Sequence, residues 1–206
     1  MTKPFVFKAE FWIPKATGVK VNTLKDFIAT LRSIDESSVF YHTYANIFNY
    51  HNLPTHYNNS FAYWLYKNNY LVLAEKISVI DPLEYYDLEE LRRAFLTVLD
   101  EYYVKYPEEK VVYPFIFIAA EREIIECNMV ANDFKEFIKF FKISSINSLF
   151  YHLITSRLEK KTLINDYSAW LLMIGETKKA ELINNLDIYS MNLYEIKKEI
   201  IKILER

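Results

Sequence analysis

The stretch Ser38-Val39-Phe40-Tyr41-His42 decides how the fold is predicted, because Ser148-Leu149-Phe150-Tyr151-His152 repeats it in the second half of the chain. A second matching pair precedes these two copies: Pro4-Phe5-Val6-Phe7 and Pro114-Phe115-Ile116-Phe117. The matching segments occur in the same order. A period of about one hundred residues is too long for a solenoid, so the pattern predicts two tandem homologous halves.

Apolar residues at helical spacing dominate both halves. The segment from Leu24 to Ile34 carries one apolar stripe, and Thr23 is suited to cap its N-terminus. Asp133 and the apolar residues that follow it show the same pattern. We therefore predict a mainly α fold of two tandem homologous helical repeats, packed with approximate two-fold symmetry.

The predicted domain boundaries follow the matching segments. Residues 1–106 form repeat 1, residues 107–113 form a charged, proline-containing connector, and residues 114–206 form repeat 2. We expect the two repeats to pack as one compact unit.

The Pro-Phe-x-Phe segments predict a small β element. In the first half, apolar residues alternate with others, the period of a half-buried strand, at Phe5, Phe7, Ala9, Phe11 and Ile13. The second half keeps this alternation only as far as Ala119. Glu121-Arg122-Glu123 is more typical of a helix. The two Pro-Phe-x-Phe segments could meet as a small shared sheet.

Composition excludes several classes of function. The chain has 206 residues, a net charge of −2 and no basic stripe, so we predict no nucleic-acid partner. The apolar runs are too short for a membrane span, and no signal peptide is visible. Two glycines, Gly18 and Gly175, are too few for phosphate-cradling loops, so we predict no cofactor. The single cysteine, Cys127, fits a reducing cytoplasm.

An ordered set of blocks resembles an uncharacterised prokaryotic family whose members carry a domain of unknown function. The blocks begin with Thr17-Gly18-Val19-Lys20 and continue with Ser37 to Thr43, Asn59 to Trp64, and Ile80-Asp81-Pro82. In the second half, Cys127-Asn128-Met129 replaces the Thr-Gly start. The resemblance covers nearly the whole chain and implies no activity.

The repeated histidines, His42 and His152, are the first candidates for chemistry. Each follows a serine by four residues, Ser38 or Ser148, so a hydroxyl–imidazole hydrogen bond on one helix face is possible. Three interpretations stay open: a structural histidine satisfied near the core, a binding residue, and a catalytic base. Catalysis also needs an orienting acid and an oxyanion hole, and no such motif is visible, so we assign no catalytic residue.

Tyrosine, asparagine and tryptophan complete the candidate binding set. Two asparagines precede aromatic runs that end in tryptophan, as in a sugar or nucleobase platform or in a capped helix with a core tryptophan. Tyrosine suits surfaces that are apolar on one side and wet on the other. These candidates are Asn59, Asn165, Trp64, Trp170, Tyr41 and Tyr151.

Three further sets have weaker sequence support. His42, His51 and His56 lack the spacing and the carboxylates of a zinc site, so we predict no metal. Arg92 and Lys197 either hold a phosphate or carboxylate or lie on a solvated helix face. Glu75 and Glu181 either act as paired carboxylates or lie on such a face.

Our leading functional hypothesis is a non-catalytic cytoplasmic accessory or protein-interaction module. The alternative is a site for a small carbohydrate-like ligand, a sugar or sugar phosphate, between the repeats and built from the two histidines and the two asparagines. A hydrolase is the third possibility. The expected partner is therefore another protein or a small ligand.

Overall fold

The computed structural model describes residues 3–48, 57–107 and 113–206. Strands β1 (Phe5–Val21) and β2 (Phe115–Ala131) pair as a two-stranded antiparallel sheet. The helices between the strands are α1 (Leu24–Ser33), α2 (Glu36–Phe48), α3 (Ser60–Lys67), α4 (Leu71–Ser78) and α5 (Leu88–Lys105). The helices after β2 are α6 (Phe134–Ile143), α7 (Ile146–Phe150), α8 (Ser156–Lys160), α9 (Asp166–Met173), α10 (Thr177–Asn184) and α11 (Leu193–Glu205).

The predicted fold class is wrong. We expected a mainly α protein of tandem helical repeats, but the described chain has an α+β fold. Each strand is 17 residues long, far longer than the small β element that the Pro-Phe-x-Phe segments predicted. The predicted boundaries, 1–106, 107–113 and 114–206, stay a prediction.

The helical prediction for Glu121-Arg122-Glu123 is also wrong, because these residues lie inside β2. Cross-strand charges account for a strand there. The guanidinium of Arg122 donates two hydrogen bonds to the buried Glu10 carboxylate, at 2.5 and 3.1 Å. Lys15 Nζ lies 3.6 Å from a carboxylate oxygen of Glu121. Opposite charges facing each other across strands stabilise a sheet, and a pattern read along one segment does not reveal them.

The described residues divide into two compact units. One contains Met1–Trp12 and Arg122–Arg206, and the other contains Ile13–Glu121. We call the first the His152 unit and the second the His42 unit. Each unit takes the first part of one strand and the last part of the other.

An aromatic cluster forms the core of each unit. In the His42 unit, Phe27 stacks on Trp64 with ring centroids 4.6 Å apart. In the His152 unit, Phe137 stacks on Trp170 at 4.7 Å. Buried aromatic rings from the strand continue each cluster: Phe115 and Phe117 in the His42 unit, Phe5 and Phe7 in the His152 unit.

Most predicted helix starts are confirmed. The side chains of Thr23 and Asp133 accept hydrogen bonds from the third backbone N–H of α1 and α6. The helices that carry the two Tyr-His pairs begin before the repeated serines Ser38 and Ser148. Asp35 accepts from the N–H of Ser37, and Ser145 accepts from the N–H of Ser148, so both helices begin earlier.

Candidate functional site

His152 fixes the backbone of β1. Its Nε2 accepts a hydrogen bond from the backbone N–H of Lys8 at 2.8 Å, and its Nδ1 lies 2.8 Å from Asp166 Oδ2. The other carboxylate oxygen of Asp166 accepts from Lys160 Nζ. The imidazole is 2% exposed. The result is a continuous polar chain from the strand through His152 and Asp166 to Lys160.

The hydrogen bonds determine the protonation of this chain. Because Nε2 accepts from a backbone amide, the neutral ring carries its proton on Nδ1 and donates it to Asp166. Burial lowers the pKa of His152, and this outweighs the opposing effect of Asp166. Burial alone would raise the pKa of Asp166, but hydrogen bonds from His152 and Lys160 bring it below its ordinary value. Asp166 is therefore ionised at neutral pH and His152 is neutral.

This geometry is unsuited to general-base catalysis by His152. A catalytic histidine oriented by an aspartate needs its second ring nitrogen free to take a proton from a nucleophile. In His152 the Lys8 amide occupies that nitrogen. The hydroxyl of the preceding Ser148 forms no hydrogen bond with any described residue. His152, oriented by Asp166, therefore holds the backbone of β1 in place.

His42 plays the corresponding part in the other unit. Its Nε2 accepts a hydrogen bond from the backbone N–H of Ile118 at 3.0 Å, and the ring is 3% exposed. Burial lowers the pKa of His42 to about 3, so it is neutral at physiological pH. Ser38 donates to the carbonyl of Ile118 at 2.7 Å. Helix α2 thus holds both backbone groups of one strand residue.

The two candidate asparagines and the two candidate tryptophans are parts of the scaffold. Asn59 and Asn165 are fully buried N-caps, accepting from the backbone N–H of Ala62 and Ser168. The indole N–H of Trp64 donates to the carbonyl of Tyr113, at 2.7 Å. The indole N–H of Trp170 donates to the carbonyl of Lys3, at 2.9 Å.

The two candidate tyrosines have different surroundings. Tyr151 is 2% exposed, and its hydroxyl donates to Glu159 Oε2 at 2.9 Å. Burial, reinforced by Glu159, raises its pKa, so it stays protonated. Tyr41 is half-buried, with its ring centroid 5.1 Å from that of His42. Tyr151 and His152 lie in a π-helical segment, Tyr151–Thr155, whereas α2 is α-helical around Tyr41 and His42.

A cavity of about 510 Å³ lies against His152 within its unit. This volume is within the range of small-molecule sites, about 300–1,000 Å³. One face of α9 forms a wall with Asp166, Ala169, Trp170 and Met173, spaced three or four residues apart. The remaining lining residues are Lys3, Pro4, Phe5, Val6, Lys8, Glu126, Tyr151, His152, Lys160, Thr162 and Ile164.

The structure thus brings three of the predicted residues together: Tyr151, His152 and Trp170 line this cavity. Ser148 and Asn165 belong to the same unit but not to the lining. The other five, Ser38, Tyr41, His42, Asn59 and Trp64, belong to the His42 unit.

The charged residues of the cavity were missed by sequence reasoning. Lys8 and Asp166 lie in segments whose counterparts carry neutral residues, Ile118 after Pro114-Phe115-Ile116-Phe117 and Ser60 after Asn59. The difference between the matching segments is therefore the signal in the sequence for these two charges.

The other candidates are also engaged in the scaffold. Arg92 donates to the carbonyls of Leu31 and Arg32 at the end of α1, and Lys197 donates to the carbonyls of Lys142 and Ser144 at the end of α6. These cations satisfy carbonyls that a helix end leaves without intrahelical partners.

Of the predicted acidic pair, Glu75 accepts from the Tyr57 hydroxyl at 2.8 Å. His51 and His56 lie outside the described residues. Residues 3–48, 57–107 and 113–206 contain no group of three or more His, Cys, Asp or Glu arranged to hold a metal ion. In the same ranges, no helix combines the length and apolarity that crossing a bilayer requires.

Comparison with known proteins places the chain in a family. The model of a family of unknown function, DUF5752, matches residues 2–205. This chain belongs to that family. The resemblance found in the sequence is therefore confirmed. OrfY from Thermoproteus tenax has a similar structure, with a TM-score of 0.86 and 28% identity over 99% of this chain and 95% of that chain. A search of curated proteins gives no match.

Proposed function

We propose that this protein is a non-catalytic binding protein for a small molecule, which occupies the cavity beside His152. The observation that carries the proposal is the lining itself. Apolar and aromatic side chains line the cavity together with a few charged groups, of which Asp166 is held by hydrogen bonds from His152 and Lys160. Binding pockets for small molecules have this composition.

The π-helical segment supports the same location. Tyr151–Thr155 interrupts the helix that carries two of the lining residues, Tyr151 and His152. Such segments are rare and occur frequently at functional sites. The corresponding helix of the His42 unit, α2, is regular around its own Tyr-His pair.

A binding role fits these groups better than hydrolysis does. Both histidines accept from backbone amides of strands, and the Ser38 hydroxyl donates to a carbonyl. A nucleophile–base pair needs these atoms for its substrate. The proposal retains the cytoplasmic location suggested by the single cysteine, Cys127.

Protein interaction, our leading hypothesis from the sequence, stays a prediction. Four apolar side chains on α4, on α5 and directly after α5 are at least half exposed and would carry it: Leu71, Val72, Val104 and Tyr106. The cavity is preferred because its lining specifies the chemistry of an occupant, which these four side chains do not.

A thermal-shift screen tests the proposal. The panel contains sugars, sugar phosphates, nucleotides and small carboxylic acids. A ligand at one hundred times its Kd stabilises the folded state by about 2.7 kcal/mol, a clear rise in Tm. We expect at least one compound to raise the Tm of the natural protein and to have no effect on the Ala169→Trp variant.

Ala169→Trp fills the cavity from an exposed position of α9, so its folding cost is small. The matched control is Leu172→Trp, on the same helix, 43% exposed and outside the lining. The control should respond to ligand like the natural protein. Equal responses in all three proteins, or none in any, would contradict the proposal.

A further inference from the structure

We propose that the ligand of this cavity carries an anionic group, a carboxylate or a phosphate, and that Lys8 together with Lys3 binds it. This inference rests on the proposed binding function and specifies the ligand class. Its basis is the placement of cations in the lining, the way in which their backbones are held, and the absence of those cations at the matching positions of the His42 unit.

The backbones of Lys3 and Lys8 are fixed by other residues that line the cavity. The carbonyl of Lys3 accepts from the Trp170 indole, and the N–H of Lys8 donates to His152. Neither lysine makes an ion pair with any of the described residues. The two ammonium groups are thus carried by residues 3 and 8, just before and within the start of β1, where hydrogen bonds hold the backbone, and they are available to a ligand.

In the His42 unit, the same two backbone hydrogen bonds form at residues that carry no charge. There, Trp64 donates to the carbonyl of Tyr113, and the N–H of Ile118 donates to His42. The backbones of Tyr113 and Ile118 thus make the same hydrogen bonds as those of Lys3 and Lys8, although the side chains of Tyr113 and Ile118 are neutral. The backbone hydrogen bonds therefore do not require lysine at these two positions. Binding of an anionic ligand accounts for the two charges.

The other charges of the lining favour an anion. Asp166 is bonded to both His152 and Lys160, so its charge is largely compensated within the protein. Glu126 is the remaining carboxylate of the lining. Three lysines therefore face two carboxylates, which leaves the cavity with a net positive charge while His152 is neutral.

The apolar residues of the lining indicate the chemistry of the rest of the ligand. Ala169, Met173 and Ile164 are exposed apolar side chains of the cavity. They offer contact to a ring or a short hydrocarbon but no hydrogen bond. The combination fits an organic molecule with one anionic end and one apolar face.

Four probes with one apolar body test this charge preference: phenyl phosphate, benzoate, benzyl alcohol and benzylamine. Binding is followed by ¹H–¹⁵N NMR through the backbone amides of Lys8, Ala169 and Met173. We expect the two anions to shift these amides at lower concentration than the alcohol or the amine. The stronger of the two anions tells whether the site prefers phosphate or carboxylate.

Two variants connect the preference to a residue. Lys8→Ile introduces the residue type found at the matching position, Ile118, and should weaken binding of the preferred anion about tenfold, the loss of one charge-assisted hydrogen bond. It should leave benzyl alcohol binding unchanged. Lys20→Ile, an exposed lysine of β1 outside the lining, is the charge-matched control and should change neither.

The outcomes separate this inference from the proposed function. Equal binding of all four probes at the cavity amides, unaffected by Lys8→Ile, would overturn the anion inference and leave a small-molecule site in place. Tighter binding of benzylamine than of the anions would do the same. No shift of the cavity amides by any probe would contradict both.

Discussion

The two repeated pairs of the sequence, Tyr41-His42 and Tyr151-His152, give each unit a buried imidazole that accepts a hydrogen bond from one backbone N–H of a strand. An unpaired buried N–H costs roughly 1–3 kcal/mol, so each histidine stabilises the position of its strand. The ring can do this only while it is neutral, because protonation turns its accepting nitrogen into a donor.

The serines of the repeated motif should differ in their effect on stability. Ser38→Ala removes the hydrogen bond to the Ile118 carbonyl, and we expect a loss of about 1–2 kcal/mol in the free energy of unfolding. Ser148→Ala removes a buried hydroxyl that no described residue bonds, so it should be neutral or stabilising. Urea unfolding of both variants measures the difference. A larger loss in Ser148→Ala than in Ser38→Ala would contradict this assignment.

Acid should destabilise the protein through the buried histidines. The folded-state pKa of His42 is about 3, below its ordinary value of 6.5, so between these values the unfolded state binds more protons. The contribution of His42 to the free energy of unfolding is therefore fully present above pH 6.5. Below that pH the contribution falls by roughly 1.4 kcal/mol per pH unit as the pH decreases toward 3. The lowered pKa of His152 acts in the same direction. Urea unfolding from pH 7.5 to 4.5 measures the slope.

His42→Gln is the variant that separates titration from packing. Its side-chain oxygen can accept the Ile118 amide but does not titrate in this range. We expect a shallower loss of stability on acidification than in the natural protein. An unchanged slope would show that His42 does not control the acid sensitivity.

At the scale of elements, long-range cations complete helix ends. Arg92, 4% exposed on α5, donates to two carbonyls at the end of α1 and pairs with Glu89 at 2.9 Å. Arg92→Met should cost about 1.5–3 kcal/mol, because the carbonyls lose charged donors. Arg93→Met, the exposed neighbour on α5, should change stability by less than about 0.5 kcal/mol. Thermal or urea unfolding compares them, and equal effects would contradict the capping role.

Local patterns predicted elements better than they predicted partners. Thr23 and Asp133 were identified as caps because a cap acts within one turn. The length of β2 was missed because the charges that support it, Arg122 with Glu10, come from different strands. The roles of Arg92 and Lys197 were missed for the same reason, since their carbonyl partners become neighbours only when helices pack.

At the scale of the whole molecule, matching segments led to the wrong fold class and to an incomplete site. Similarity between halves drew attention to His152, Tyr151 and Trp170, which do line the cavity. The charges that distinguish the site, Lys8 and Asp166, occupy positions where the halves differ. The shared residues His152 and Trp170 hold the backbone and also line the cavity, whereas the charges of the proposed site lie where the two halves differ.

The central claim, that the cavity beside His152 binds a small anionic molecule, is tested most directly by crystallography. Crystals would be soaked in phenyl phosphate at a concentration that saturates the NMR response. We expect difference density in the cavity, with the phosphate about 2.8 Å from Lys8 Nζ and the ring against Ala169 and Met173. Density for the probe only elsewhere on the protein, or none while NMR shows saturation, would contradict the claim.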